Sequence, residues 1–204
     1  MTNIKNDHPD INTTKQHLAK FLRSHPSLGA ELIAQLLTMF RFQKMDKGTQ
    51  LVRSGSLWQQ AFYITEGLMR FYYTTEQGKE FNKGFYCEDD FVWPKAPIAR
   101  TEPSLFTIEC LTPCAFWQIP FSSFQAKLAE EKVWDSFALP YLEHFADEKF
   151  IREYEFLIHD AQTKYTSLQD SLGDLIERIP DYHLASYLGI TNVALSRVKK
   201  RASR

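Results

Sequence analysis

The stretch from Asp181 to Lys200 has the pattern of two short helices that cross. Such a crossing needs a small residue where the helices touch and a glycine in the turn between them. Ala185 is the small residue, and Gly189 can adopt the positive φ that ends the first helix. Thr191 follows the turn, where its hydroxyl can cap the backbone amides of the second helix. This stretch therefore predicts a helix-turn-helix unit near the end of the chain.

The second helix of this unit has an apolar side and a polar side. At about 100 degrees per residue, Leu195 and Val198 point towards the first helix. The opposite side and the turn before it supply the candidate DNA contacts. These candidates are Thr191, Asn192, Val193, Ser196, Arg197 and Lys200. A helical hairpin that only closes a small domain is the alternative, and the basic residues on the free side favour DNA binding.

Positive charge is concentrated at the same end of the chain. From residue 180 onward five basic residues stand against one acidic residue, so this segment carries +4. The whole chain of 204 residues carries −1, which leaves −5 on residues 1–179. Because phosphate contacts supply most sequence-independent affinity for DNA, a positive end on a neutral body indicates a docking surface. Taken alone, the basic run could equally be a solvated tail.

Length and hydropathy indicate a globular protein with room for one large or two small cores. The chain has no apolar run of about 18 residues, and its N-terminus is too polar for a signal peptide. We therefore expect a cytoplasmic protein without membrane contact. The three cysteines, Cys87, Cys110 and Cys114, are an odd number, so we expect reduced and buried thiols.

The titratable residues argue against an enzyme. All six histidines lie outside residues 26–143, so the middle of the chain has no imidazole for metal binding or acid–base catalysis. The cysteine spacing fits no common zinc pattern. We expect no metal, no cofactor and no catalytic site. The acidic run from Glu88 to Asp90 leaves metal-assisted chemistry as the least favoured alternative, and a solvated loop explains that run more simply.

Residues 40–121 have the sequence pattern of short strands. Five of the eight glycines lie between Gly48 and Gly84, and they separate segments rich in aromatic and β-branched residues. Several of these segments alternate, as Tyr63 does against Phe62 and Ile64. Many short strands with glycine turns indicate a double-sheet β-roll or barrel. Such folds commonly enclose a small-molecule site.

Helical patterns lie on both sides of the strands. Residues 1–13 are polar and predict disorder, whereas residues 14–23 and 27–39 have helical spacing. Residues 121–160 predict a short helix and then a long one after Ala129, with a kink or a restart at Pro140. Asp160 is expected to open a further helix that runs through Ile179.

The long helix has two apolar stripes. One stripe contains Leu139, Leu142, Ala146, Phe150, Leu157 and Ala161, and the other contains Phe137, Tyr141 and Phe145. Two stripes exceed what a single partner surface needs. We expect a helix that pairs with its copy in a homodimer, and simple intrachain packing is the alternative.

The order of these parts resembles the Crp/Fnr family of bacterial transcription regulators. The most specific pieces are KGTQLVRSG at 47–55, FYITEGLMRFYY at 62–73 and IPDYHLASYLGITNVALSR at 179–197. The resemblance implies an α+β fold with an N-terminal double-sheet β-roll of the cyclic-nucleotide-binding type, flanking helices, a long dimerisation helix and a C-terminal helix-turn-helix with little or no wing. The implied domains are 14–128 for the sensor, 129–159 for the dimerisation helix and 160–204 for DNA binding.

The resemblance also implies roles for single residues. The three base-reading positions fall on Asn192, Val193 and Arg197, and Val193 departs from the acid of better-known members. In the roll, Glu88 and Ser104 are the tentative effector contacts, while Pro103 stands where cyclic-nucleotide binders have an arginine. Binding of cyclic AMP is therefore not expected, and the ligand stays open.

The sequence thus predicts a homodimeric regulator that binds double-stranded DNA at a palindromic site. A small-molecule effector and RNA polymerase are the further partners that the resemblance implies. The alternative is a small-molecule sensor that acts through protein contacts, with weak or no DNA binding.

Overall fold

A computed structural model describes residues 10–202. The helices are α1 (Ile11–Arg23), α2 (Ala30–Met39), α3 (Ile98–Thr101), α4 (Phe121–Glu130), α5 (Trp134–Ile158), α6 (Ala161–Leu172), α7 (Asp181–Leu188) and α8 (Asn192–Ala202). The strands are β1 (Arg41–Met45), β2 (Gln50–Val52), β3 (Gln60–Glu66), β4 (Met69–Thr74), β5 (Glu80–Tyr86), β6 (Phe91–Val92), β7 (Thr107–Cys110) and β8 (Cys114–Pro120). Within this part of the chain no helix is both long and apolar enough to cross a membrane.

The strands form two antiparallel four-stranded sheets, which confirms the predicted roll. One sheet has the order β1-β8-β3-β6 and the other the order β2-β7-β4-β5. Side chains of both sheets meet in a shared core, among them Phe62 and Phe116 from one sheet and Phe71 and Ile108 from the other. Burial of these large apolar side chains is the main stabilisation of such a roll.

The turn between β3 and β4 depends on Gly67. Its φ is +97°, and a Cβ at this position would lie 2.3 Å from the carbonyl oxygen of Pro113. No other residue fits such a close backbone approach without a shift of the chain. The close packing here lets Leu68 and Met69 enter the core at the start of β4.

The N-terminal helices cover the first sheet. Leu18, Leu22 and Leu36 are fully buried and pack in one cluster with Tyr63 and Trp117 of the roll. Helix α1 begins at Ile11, so the prediction of disorder is wrong for residues 11–13, while residues 1–9 lie outside the described part. Helix α2 begins at Ala30, three residues later than the predicted start. Its N-cap is Gly29, and the preceding residues form a turn.

Two helices follow the roll. Helix α4 ends at Glu130, and Lys132 then takes a φ of +57°, so the long helix begins at Trp134 rather than directly after Ala129. Helix α5 continues through Pro140, and the predicted restart does not occur. Pro140 is exposed, so the carbonyl that loses its amide partner can bind water instead.

The C-terminal part confirms the helix-turn-helix. Asp160 caps α6 by accepting a hydrogen bond from the Thr163 amide at 2.8 Å. The predicted helix through Ile179 is wrong, because Gly173 has a φ of +51° and the segment Gly173–Arg178 is a 3₁₀ helix. Gly189 has the left-handed conformation, with a φ of +69°, between α7 and α8. The three helices share a core that includes Leu168, Leu184, Leu195 and Val198.

Candidate nucleic-acid interface and roll cavity

Helix α8 has the two sides that the sequence predicts. Leu195 and Val198 are buried against α6 and α7. All six candidate DNA contacts are exposed, namely Thr191, Asn192, Val193, Ser196, Arg197 and Lys200. Val193 is 62% exposed, so its side chain is free to contact a ligand. The structure thus brings the six side chains together on one free surface.

Two polar contacts hold the start and the side of α8. The Thr191 hydroxyl accepts a hydrogen bond from the Ala194 amide at 3.2 Å, which is the predicted N-terminal cap. The Lys199 ammonium donates a hydrogen bond to the Asp181 carboxylate at 2.5 Å, which links the side of α8 to the start of α7. Arg197 and Lys200 form no ion pair within the described part of the chain, and their charges are available to a polyanion.

Helix α7 is docked against β5 of the roll. The Ser186 hydroxyl accepts from the Asn82 amide at 3.0 Å and donates to the Glu80 carbonyl at 2.8 Å. The Asn82 side chain donates to the His183 carbonyl at 3.1 Å. These bonds join the edge of the second sheet to the first helix of the helix-turn-helix, a contact between segments about 100 residues apart.

A buried arginine lies beside this contact. Arg70 is 5% exposed, and it pairs with Glu80 at 2.6 Å and with Glu109 at 3.1 Å. Its guanidinium also lies 3.8 Å from the centre of the Tyr72 ring. The His183 imidazole is 3.4 Å from Arg70, and burial together with this neighbouring cation lowers the pKa of His183 to about 4. His183 is therefore neutral at physiological pH.

An ion pair also joins the roll to the segment before α7. Arg178 donates to both carboxylate oxygens of Glu88, at 2.7 and 2.9 Å, and Glu88 also accepts from the Gly67 amide at 2.7 Å. Although burial opposes ionisation, these donors lower the pKa of Glu88. Glu88 is not among the residues that line the cavity of the roll, and its effector role stays a prediction. Its carboxylate is occupied by a contact between two parts of the chain.

The roll has a cavity of about 220 Å³ between β4, β5, α3 and the middle of α5. Its walls are mostly aromatic and aliphatic, with Trp58, Phe71, Trp93 and Phe106 among them. Ser104 lines this cavity, as its predicted role requires. However, its hydroxyl already donates to the Phe106 carbonyl at 2.7 Å, so it serves first as a turn residue.

The cavity also contains polar residues that the sequence does not single out. Lys83 comes from β5, Lys95 from the loop after β6, and Glu102 follows α3. A lysine in a strand and a lysine in a loop carry no local signal of a shared site. Only the fold brings them together, so sequence patterns of the kind used above could not identify them.

Helix α5 has one packed side and one free side. Phe137 contacts Phe91 of the roll, Tyr141 contacts His25 in the turn after α1, and Phe137 is 1% exposed. The other stripe is largely uncovered, since Phe150 is 77% and Leu157 is 72% exposed. One of the two predicted stripes is thus explained by intrachain packing. In the other stripe Leu142 and Ala161 pack against neighbouring cores, whereas Leu139, Phe150 and Leu157 are exposed.

The cysteines are free thiols, as predicted. Cys110 and Cys114 are buried in the roll, and Cys87 is half-buried. Burial and the neighbouring acids Asp90 and Glu88 raise the pKa of Cys87 to about 11. A thiol with such a pKa is a poor nucleophile at neutral pH. Among residues 10–202 no group of three or more histidine, cysteine or acidic side chains could hold a metal ion.

Comparison with known proteins places this geometry in a class. Residues 42–131 match the family model of the cyclic nucleotide-binding domain. No match was found among curated protein sequences. Residues 42–131 are thus similar to cyclic nucleotide-binding domains, and a long helix and a helix-turn-helix follow them here.

Solved structures share this fold over 72% to 86% of the chain at low sequence identity. The c-di-GMP-responsive global regulator CLP of Xanthomonas campestris is 14% identical, with a TM-score of 0.64 over 86% of this chain and 92% of its own. FixK2 from Bradyrhizobium japonicum is 13% identical, with a TM-score of 0.65 over 80% and 84%. The sensor domain of the transcriptional regulator DNR from Pseudomonas aeruginosa is 19% identical, with a TM-score of 0.55 over 72% and 97%. The predicted resemblance to Crp/Fnr regulators is confirmed in fold.

Proposed function

We propose that this protein is a sequence-specific DNA-binding transcription regulator that acts as a homodimer. The observation that carries the proposal is the free side of α8, where six polar, basic or small side chains are exposed while Leu195 and Val198 anchor the helix. A helix of this kind fits the major groove of duplex DNA. The similar folds of CLP and FixK2 support the proposal.

The residues of α8 have different roles in this proposal. Arg197 donates two hydrogen bonds to a guanine, which is the commonest specific contact in a major groove. Asn192 binds an adenine or a phosphate, and Val193 contacts a thymine methyl. Thr191, Ser196 and Lys200 bind the phosphate backbone and fix the helix in the groove. These phosphate contacts position the protein without reading sequence.

The free stripe of α5 supports the homodimer. Phe150 and Leu157 project within about 20 degrees of each other, and Tyr141, which contacts the roll, projects to the opposite side. Such an exposed apolar stripe along a helix of 25 residues fits pairing with the same helix of a second copy. A two-fold axis through this pair would present two copies of α8 to one face of the duplex.

Replacement of Arg197 tests the DNA-binding surface. The wild-type protein first selects a duplex from a random library. Compared with the wild type, Arg197→Ala should discriminate less between bases at one position of each half-site, by about 1 to 3 kcal/mol. Arg23→Ala is the matched control, since Arg23 is exposed on α1 and its loss changes the net charge equally. Gel shifts with the selected duplex and single-base variants measure the discrimination. Equal discrimination by both variants and the wild type would show that α8 does not read bases.

The second candidate function is a sensor that acts through protein contacts alone. It is favoured by the docking of α7 on β5, since a helix-turn-helix held against the roll is restrained in its position. In that case the pure protein would bind no duplex at low salt, yet a small molecule would stabilise it.

A further inference from the structure

The shape of the roll cavity defines what kind of molecule it can hold. Its volume is about 220 Å³, and its walls are formed by aromatic and aliphatic side chains. An apolar cavity of about 150 Å³ in another protein stays dry and binds benzene. A body of one small ring or a short alkyl chain therefore fits here. A sugar with several hydroxyl groups would leave those groups without partners on the aromatic walls, which is costly.

Two lysines, Lys83 and Lys95, line the side of the cavity that faces α5, and Lys149 of α5 lines a neighbouring pocket that shares Lys83. The ammonium groups of Lys83 and Lys95 each lie 5.7 Å from the centre of the Phe145 ring, and that of Lys149 lies 5.0 Å from it. None of the three forms an ion pair within the described part of the chain. Glu148 and Asp90 are the nearest acids that affect them. Glu102 also lines the cavity but forms no ion pair with Lys83 or Lys95, so the two ammonium groups beside the Phe145 ring form a site for an anion.

The electrostatics of these lysines agree with an anion site. Burial, followed by the charges of Lys149 and Arg152, lowers the pKa of Lys83 to about 8. Burial likewise lowers the pKa values of Lys95 and Lys149. An anion placed among them would favour their protonated forms. The protein therefore holds these side chains in a state that a negatively charged ligand would stabilise.

We propose that the roll cavity binds a small organic acid, with its ring or alkyl chain against the aromatic walls and its carboxylate between Lys83 and Lys95. This assignment deepens the proposed function by naming the class of effector. It rests on that function only for the effect of the ligand on DNA, not for binding itself. Phe145 of α5 would contact the bound acid, which connects the cavity to the helix with the free apolar stripe.

Matched acid and amide probes test the assignment on the full chain without DNA. The probes are phenylacetate with phenylacetamide and octanoate with octanamide, measured by calorimetric titration at pH 7. At least one acid should bind at least about tenfold more tightly than its amide. One favourable charge contact of about 1.4 kcal/mol gives this ratio of dissociation constants. Cyclic AMP is the comparison ligand and should bind more weakly than that acid.

Substitution of the lysines locates the binding site. Lys83→Met and Lys95→Met should each reduce the affinity for the acid about tenfold and leave the affinity for the amide within about twofold. Lys15→Met is the matched control, because Lys15 is exposed on α1, far from the roll cavity in sequence. Melting temperatures of the unliganded variants should stay close to that of the wild type, which separates lost binding from lost folding.

Three results would overturn the assignment. They are equal affinity for acid and amide, binding of no probe at millimolar concentration, and acid binding that both lysine variants retain. The DNA experiment with Arg197→Ala is separate from this one. If the protein selects a duplex but binds no acid, the proposed regulator function is retained and the proposed ligand class is refuted. If it binds an acid but selects no duplex, the ligand class is retained and the proposed DNA binding is refuted.

Discussion

The side chains around His183 decide how the helix-turn-helix is held to the roll. His183 is 5% exposed and lies between Arg70 and Asn82. It also interacts electrostatically with Glu80 and Lys47. Its pKa is about 4 in the folded chain against an ordinary 6.5. Between these pH values the unfolded chain binds the proton more strongly than the folded chain. Stability is therefore full above pH 6.5 and falls as the pH drops towards 4.

We expect His183→Gln to reduce this loss of stability. Gln cannot be protonated, and its amide oxygen can still accept from Asn82. The urea midpoint of the wild type should drop further between pH 7 and pH 5 than that of the variant. His144→Gln is the control, since the His144 side chain is 71% exposed. An identical drop in His183→Gln and the wild type would show that His183 does not titrate in this range.

Single residues were predictable from sequence where a periodic pattern exposes or buries them. The five candidate contacts within α8 lie on its free side, as the projection at about 100 degrees per residue indicates, and Thr191 is exposed just before the helix. Glu88 was not predictable in the same way. Its partner Arg178 lies 90 residues further along the chain, so no local pattern shows that their carboxylate and guanidinium meet.

Helix α5 is the element with the clearest division of roles. Its packed side includes Phe137 and Tyr141, and its free side includes Phe150 and Leu157. If the free side pairs with a second copy, a charge there should break the pair without unfolding the chain. Because Phe150 is 77% exposed in a single chain, its replacement removes little intrachain packing.

Phe150→Glu should therefore convert a dimer into a monomer. Sedimentation should give a mass close to the 23.8 kDa of one chain for this variant and about twice that for the wild type. Leu57→Glu is the matched control, since Leu57 is 49% exposed in the loop before β3. A wild type that sediments as a monomer at micromolar concentration would contradict the dimer, and so would a Phe150→Glu variant that stays dimeric.

Elements were predictable to the extent that local chemistry decides them. The strands, the cap at Asp160 and the turn at Gly189 follow from side-chain alternation and backbone freedom. The extra helical residues 11–13 depend on packing further along α1, where Leu18 and Leu22 are fully buried. Once that part is helical, each added residue gains a hydrogen bond at little cost. The end of α6 at Gly173 was missed because a glycine within a helical pattern can continue the helix or end it.

At the scale of the whole molecule, the helix-turn-helix and the roll are not independent bodies. Helix α7 packs on β5 through Ser186 and Asn82, and Arg178 pairs with Glu88. A division of the chain at residues 128 and 159 stays a prediction, because these contacts cross it. The sequence could not indicate the contacts, since they join segments that have no common periodicity.

The central claim is that two copies of α8, one from each chain of a dimer, read one duplex. Selection from random duplexes followed by measurement of the protein-to-DNA ratio tests it most directly. The account predicts a palindrome with half-site centres about 10 base pairs, or 34 Å, apart, bound by two chains per duplex. A single enriched half-site bound by one chain, or a library from which no sequence is enriched, would contradict it.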